Sequence, residues 1–346
     1  MANYSLSERL ITMNNNSDKI KKSGHGAALG KLILIGEHSV VYGKLSVGLP
    51  FSAVTINVHL TENPDKTLIN SSMYSGTIDK IPYFIENIYS VYTKIKQDFN
   101  INKYFFIDIE SNIPVERGLG SSAAVAVALV RAFEDYLDIK LSIEDFLSYV
   151  DLSEKISHGN PSGLDARLIT LNQPLLFQRN KKIETFYFDT PYYLVVADTG
   201  ITGQTKEAVK DVRMNYESPY YARSQASSFY IEDLDRLAHE FYENLSKDYT
   251  DFDSLAKIID SAHDDLRALQ VSSPEQDFGI NFAKKHGAAS GKITGGGRGG
   301  CFYVLCKNFE SAENIKNLII DNKVGVDAWT VPLSSISMKD SGKIKP

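Results

Sequence analysis

Only two of the 346 residues are cysteine, Cys301 and Cys306, and both sit in one apolar run, Cys301-Phe302-Tyr303-Val304-Leu305-Cys306. If that run is a strand, the odd spacing sends the two side chains to opposite faces. This argues against a disulfide between them and for a reducing compartment. The seven histidines are scattered, with no two at metal-ligand spacing, so a zinc site is not supported. Basic residues are not in excess: Lys plus Arg is 37 against 43 Asp plus Glu, a formal net charge of −6. Such a chain has no overall field for nucleic acid or an anionic membrane, and no basic run alternates with aromatics. Neither partner is expected, although a local basic pocket for phosphate is compatible with this balance. Long apolar runs are also missing. The longest, Ala123 to Val130, is too short to span a membrane. Residues 1–23 are polar, with Asn14-Asn15-Asn16 and Lys19 to Lys22, and lack the apolar centre of a signal peptide. A cytoplasmic location is expected. There is no Walker A motif either, because Gly30-Lys31 is followed by Leu32 and His25 occupies the place of the first glycine.

What is present suits a globular chain of two domains: 43% apolar and 23% charged residues over 346 positions. Residues 1–23 read as a loosely ordered extension or a short surface helix. Lys31 to Ile35 reads as a buried strand, Gly36 to Gly43 as a turn-rich loop and Val54 to Leu60 as an alternating strand. Helical periodicity covers 81–98, and Tyr104 to Glu110 alternates again. The loop Ile113 to Ser122 opens onto a helix, Ala123 to about Leu137, which is apolar on nearly all sides and so should be central. A further helix, Ile143 to Ser157, leads into the loop His158 to Asp165. The polar stretch Gln178 to Lys182 is a candidate domain boundary. Beyond it come a strand at Tyr193 to Ala197, a loop at Asp198 to Thr205 and mainly helix to Lys285. The chain then runs through Lys292-Ile293-Thr294, a glycine loop at Gly295 to Gly300, the strand Cys301 to Cys306, a helix near 309–319 and a strand near 327–332. No internal repeat is visible. The two halves read as two α+β domains.

Four features carry chemistry. Gly118-Leu119-Gly120-Ser121-Ser122-Ala123 follows a strand and opens a helix. Glycines let the backbone approach a ligand, and the free N–H groups and positive dipole end of the helix suit phosphate. A serine hydroxyl there can reach a phosphate-bound Mg²⁺. A glycine turn with a serine cap is also a common way to begin any helix, so the motif alone supports either reading. The stretch literally fits the dinucleotide fingerprint G-x-G-x-x-A, but the acidic residue about 20 positions on, Asp138, ends a helix where a second strand is required. Gly295-x-Gly297-x-x-Gly300 fits G-x-G-x-x-G, yet a strand follows it. A nucleotide-linked oxidoreductase is weakened on both counts. The second feature is Lys31 at the start of a buried strand with Glu37 and His38 at its end. Lys31 either points at an anion or reacting hydroxyl or reaches solvent from the strand edge. The third is Glu154 with Asp165, across a helix end and a Pro/Gly loop: near a phosphate site one carboxylate can bind metal and the other accept a proton. The fourth is the glycine loop around Arg298, whose backbone must nearly touch a ligand or another loop.

These features occur in one order over nearly the whole chain, and the arrangement resembles the GHMP kinases. The segments GKLILIGEHSVVYG (30–43), residues 113–124 with HGNPSGLD (158–165), and KITGGGRGGC (292–301) carry the resemblance. Their wording is closest to the branch that phosphorylates mevalonate. The resemblance implies an α+β fold of two domains, a ribosomal protein S5 domain 2-like one over 24–185 and a ferredoxin-like one over 186–346. It implies ATP and mevalonate as small-molecule partners, Mg²⁺, and allows a homodimer. It assigns Gly118, Leu119, Gly120, Ser121 and Ser122 to the ATP phosphates, with Ser111 nearby and Arg117 as an added contact or an outer cap of the loop. Ser122 and Glu154 would hold Mg²⁺, Asp165 would be the base, and Lys31 would touch the phosphates and assist the hydroxyl. Glu37 and His38 would bind the alcohol, with Thr205 supporting the base region. Two departures stand out: Glu116-Arg117 replaces the small residue and glycine of many family members, and the basic residue that animal members carry near Gly203 has no counterpart here. Alternatives within the same fold are a phosphomevalonate-phosphorylating or other GHMP kinase and a non-catalytic ligand sensor. The presence of Lys31, Ser122, Glu154 and Asp165 favours an enzyme.

Overall fold

The computed structural model describes residues 22–159 and 161–335. The extension expected at 1–23 lies outside them except for Lys22 and Ser23, and so does Asn160 of the Pro/Gly loop. The chain divides into two compact units that interleave along the sequence: one holds the residues up to Gly30, Val54–Ile113 and Ser121–Leu171, the other Lys31–Ala53, Pro114–Gly120 and Asn172 onward. Residue 185, the domain limit that the resemblance implies, lies inside the second unit. Strands β1 (Ser23–Ile35) and β2 (Ser46–Asn63) pair with each other and pass from one unit to the other along their length.

In the first unit the latter part of β2 pairs antiparallel with β5 (Tyr104–Ser111), which pairs parallel with β3 (Leu68–Asn70) and through it with β4 (Ser75–Thr77). Helices α1 (Glu86–Asp98), α2 (Ser121–Leu137), α3 (Ile143–His158) and α4 (Leu164–Leu171) complete it, with α2 packed against the other three. The all-round apolar sequence of α2 has the expected result, since every residue from Ala123 to Val130 is buried. Phe133 and Tyr136 of α2 join Tyr92 and Phe105 in an aromatic cluster. Arg131 donates from α2 to the carbonyls of Ala27 at 2.7 Å and Thr170 at 3.0 Å, tying β1 and α4 to the central helix.

The second unit is built on a four-stranded antiparallel sheet in the order β11-β8-β10-β9, from β8 (Tyr193–Asp198), β9 (Ser290–Ile293), β10 (Cys301–Cys306) and β11 (Asp327–Pro332). Numbered within the sheet this is 4-1-3-2, the ferredoxin-like order. Helices α5 (Thr205–Tyr216), α6 (Tyr221–Leu245), α7 (Phe252–Ala268) and α8 (Pro274–Lys285) are inserted between its first two strands, and α9 (Phe309–Asp321) joins the last two. Phe302, Val304 and Cys306 face a core shared with α8 and α9, while Cys301 has the opposite parity; both thiols are free and buried. The start of β2 pairs with β6 (Leu175–Phe177), and β6 with β7 (Glu184–Thr185). No helix among the described residues is long and apolar enough to cross a membrane.

Candidate active site

In the first unit the site is built at the N-terminus of α2. Gly120, with φ +80°, turns the chain into that helix, and Ser122 stands in its first turn. The first N–H groups of a helix have no intrahelical partners, so this end is electropositive. Ser122 Oγ donates to Glu154 Oε1 at 2.6 Å. Glu154 is buried because Phe146, Val150 and Glu154 fall four residues apart on the inward stripe of α3. Two hard oxygens thus meet beside a helix N-terminus, a donor set that fits Mg²⁺, which takes one or two protein oxygens and completes its shell from phosphates and water. Among the described residues no group of three or more His, Cys, Asp or Glu is placed to hold a metal by itself.

Asp165 lies in the first turn of α4 and is half-buried, so a loop was expected where a helix has already begun. Ser162 Oγ starts that helix by accepting the N–H of Leu164 at 3.2 Å. Arg167, one turn beyond the cap, grips Asp151 of α3 with both terminal nitrogens, fixing α4 to α3. Ser111, exposed at the end of β5, accepts the N–H of Ile113 at 3.1 Å and shapes the turn that follows.

In the second unit the residues of β1 and the two glycine loops come together. Lys31 is 2% exposed, and its backbone N–H donates to Leu119 O at 3.0 Å, joining the strand lysine to the first glycine loop. The carboxylate of Glu37 is buried and held by Lys292 Nζ, which also donates to Ile293 O at 2.7 Å. Burial pushes the Glu37 carboxyl up and the Lys292 ammonium down, each against the charge of the other. Tyr303 places its ring 5.3 Å from Lys292 Nζ and donates its hydroxyl to Leu34 O at 2.6 Å. His38 Nε2 donates to Gly296 O at 3.0 Å, because a carbonyl can only accept. Burial pushes its imidazole down to about 4. The ring is therefore neutral near pH 7, and Nδ1 is a buried acceptor without a hydrogen-bond partner among the described residues.

The second glycine loop is a crossing point for protein backbone. A Cβ on Gly297 would stand 2.0 Å from Val271 O, one on Gly299 2.6 Å from Thr202 O, and one on Gly300 2.8 Å from Arg117 O. The close approach expected of this loop is thus made to other loops. Thr205, the first residue of α5, presses on it as well, since a Cβ on Gly296 would meet Thr205 Oγ1 at 2.0 Å. Arg298 is tied to Asp211 at 2.5 Å and to Gln270 O at 3.1 Å. Arg117 donates to Gly200 O at 3.0 Å and Thr202 Oγ1 at 3.1 Å and pairs with Asp198 at 3.0 Å. Its guanidinium braces the first glycine loop from within the second unit.

Lys292 is the participant that sequence reasoning missed. It stands in the quoted segment KITGGGRGGC, and its one signal was a lysine between Gly291 and Ile293, shortly before the glycine loop.

The chain matches the family profiles described as GHMP kinases N terminal domain, over residues 86–172, and GHMP kinases C terminal, over residues 237–321. The mevalonate kinase of Pyrococcus furiosus is 30% identical over 302 residues, covering 82% of this chain and 89% of that protein. The solved mevalonate kinase of methicillin-resistant Staphylococcus aureus is 30% identical, with a TM-score of 0.68 over 91% of this chain and 100% of that one. The L. major mevalonate kinase, solved in complex with R-mevalonate, shares the fold with a TM-score of 0.76 at 24% identity over 91% and 98% of the two chains. An ATP-using small-molecule kinase is the class that fold and site define, and the chain belongs to the GHMP kinase family. Within that family it stands among the mevalonate kinases.

Proposed function

We propose that the enzyme transfers the γ-phosphoryl group of Mg-ATP to the C5 hydroxyl of (R)-mevalonate, giving 5-phosphomevalonate and ADP, as a cytoplasmic step of isoprenoid biosynthesis. The observation that carries the phosphoryl-transfer reading is the Ser122–Glu154 pair at the N-terminus of α2, directly after the Gly118–Gly120 turn. The choice of acceptor is supported by the relatives from P. furiosus and S. aureus and by the R-mevalonate bound to the L. major protein.

Phosphoryl transfer asks for positioning and charge neutralisation more than covalent chemistry. In this reading the backbone of Gly118 to Ser122 wraps the ATP phosphates, with Ser111 near the nucleotide and Arg117 keeping the loop in shape. Ser122 and Glu154 would hold Mg²⁺, which when bound would supply positive charge to neutralise the phosphates. Asp165 faces the C5 hydroxyl and takes its proton as the new bond to phosphorus forms, and Lys31 stabilises the charge that develops there. His38 presents a neutral ring to mevalonate, while Glu37 holds the wall behind it through Lys292. Thr205 keeps the second glycine loop in place. The test is Mg²⁺-dependent ADP release with mevalonate, phosphomevalonate, homoserine and galactose compared in parallel. Turnover with mevalonate alone is expected. Turnover only with another acceptor, or with none despite ATP binding, would overturn the proposal.

A further inference from the structure

Ser122, Glu154 and His158 form a closed triangle inside the first unit. Ser122 Oγ lies 2.6 Å from Glu154 Oε1 and 3.0 Å from His158 Nε2, and the imidazole nitrogen is 3.9 Å from the same carboxylate oxygen. Glu154 and His158 are four residues apart on α3, so they present side by side on one face. Gly159, with φ +74°, ends the helix immediately afterwards and fixes where the histidine stands.

A carboxylate that holds a cation is ionised, and that condition sets the donors in the triangle. An ionised carboxylate only accepts, so the single hydroxyl proton of Ser122 lies on the short line to Glu154. Ser122 Oγ then has nothing to donate to His158, and the contact at 3.0 Å requires Nε2–H to donate to the serine oxygen. One lone pair of Ser122 accepts from histidine, and one is left for a cation. The serine rotamer is thus held from two sides with its remaining lone pair open. Such a contact from a histidine to a ligand oxygen is what aligns metal ligands from behind.

We propose that His158 is a positioning residue for the cation of Mg-ATP, acting through the Ser122 hydroxyl. The proposal rests on the reading that Ser122 and Glu154 hold that cation. It adds a residue whose position at a helix C-terminus would otherwise be explained by the helix dipole alone.

The test measures Mn²⁺ binding to the enzyme with a non-hydrolysable ATP analogue, from the electron paramagnetic resonance signal of free Mn²⁺. The Mg²⁺ dependence of turnover is measured beside it. His158→Ala is expected to weaken Mn²⁺ binding by roughly 10- to 100-fold, the usual loss when a ligand's outer partner is removed. The Mg²⁺ concentration for half-maximal rate should rise likewise, with kcat at saturating Mg²⁺, the KM for mevalonate and Tm little changed. His158→Gln, whose amide N–H reaches near the place of Nε2, should recover most of the loss. If Ser122→Ala and Glu154→Gln weaken Mn²⁺ binding but His158→Ala does not, the positioning role is wrong and the metal reading stands. If His158→Ala lowers Tm together with metal binding and Gln does not rescue it, the role is structural only and the proposal falls. If none of the variants changes Mn²⁺ binding, the metal assignment itself is wrong.

Discussion

A carboxylate is a weak base toward an alcohol, so in the proposed mechanism Asp165 accepts the proton only while phosphorus is being attacked. Asp165→Asn keeps the size and removes the base. The turnover number should fall by about a hundredfold or more, the scale of general base catalysis, with binding of an ATP analogue intact. Near-normal turnover would remove Asp165 from that role. The Glu37–Lys292 pair makes a different demand, because both side chains are fully enclosed. Lys292→Met would leave a buried carboxylate without its counter-charge and should cost about 3–5 kcal/mol, with most of the loss recovered in Lys292→Met/Glu37→Gln. Urea unfolding of the two variants measures this; a loss below about 1 kcal/mol in the single variant would show that Glu37 does not depend on the lysine. Lys31, Glu37 and His38 were legible in the sequence as an unusual trio bounding an apolar strand. The meeting of Glu37 with Lys292 was not, because 255 positions separate them and only tertiary packing joins them.

At the scale of elements, the glycine loop at 295–300 shows how backbone crossing sets sequence. Gly297 has φ +76° and no room for a Cβ against Val271 O, whereas Gly43 has φ +78° with nothing within 4 Å. Gly43→Ala should therefore cost only the left-handed backbone term, about 1–2 kcal/mol. Gly297→Ala adds overpacking, about 1–3 kcal/mol more. Thermal unfolding of both variants checks the difference. Equal shifts in Tm would mean that the loop opens to accommodate the methyl group. Long periodic elements such as α2, α3 and β10 were readable from hydrophobic spacing. The elements that were missed have physical reasons. The first part of β1 carries Gly24, Gly26 and Gly30, and that of β2 carries Gly48 and Pro50, residues poorly suited to strands that are held there by pairing. Helix α4 has eight residues and β7 two, too few to display a period.

At the scale of the whole molecule, the interleaving of the units was not legible, because nothing local in Lys31–Ala53 or Pro114–Gly120 says which core those segments join. The same tertiary packing sets the response to pH. Asp265 on α7 is 8% exposed, and burial, with Asp233 of α6 beside it, raises its carboxyl from 3.8 to about 7, against a smaller opposing pull from Arg236. Between those values the folded chain keeps a proton that the unfolded chain releases, so this group takes stability away as pH rises through about 4 to 7. His38 and His263 act in the opposite sense. Burial lowers both from 6.5 to about 4, so the unfolded chain binds protons there that the folded one refuses, and stability falls as pH drops below 6.5. At about 1.36 kcal/mol per unit, Asp265 is worth at most about 4 kcal/mol and each histidine at most about 3 kcal/mol. Across pH 4.5 to 6.5 the acid therefore offsets part of the slope that the histidines impose. Asp265→Asn keeps an N–H donor for Asp233 and removes the charge. The variant should be more stable than the parent at pH 8, by up to about 4 kcal/mol, and by only about 1 kcal/mol at pH 4.5. Its own stability should fall more steeply with acid, because the histidine slope is no longer offset. Urea unfolding of both proteins at the two pH values decides the matter: a difference that is the same at pH 8 and pH 4.5 would mean that Asp265 does not titrate between them.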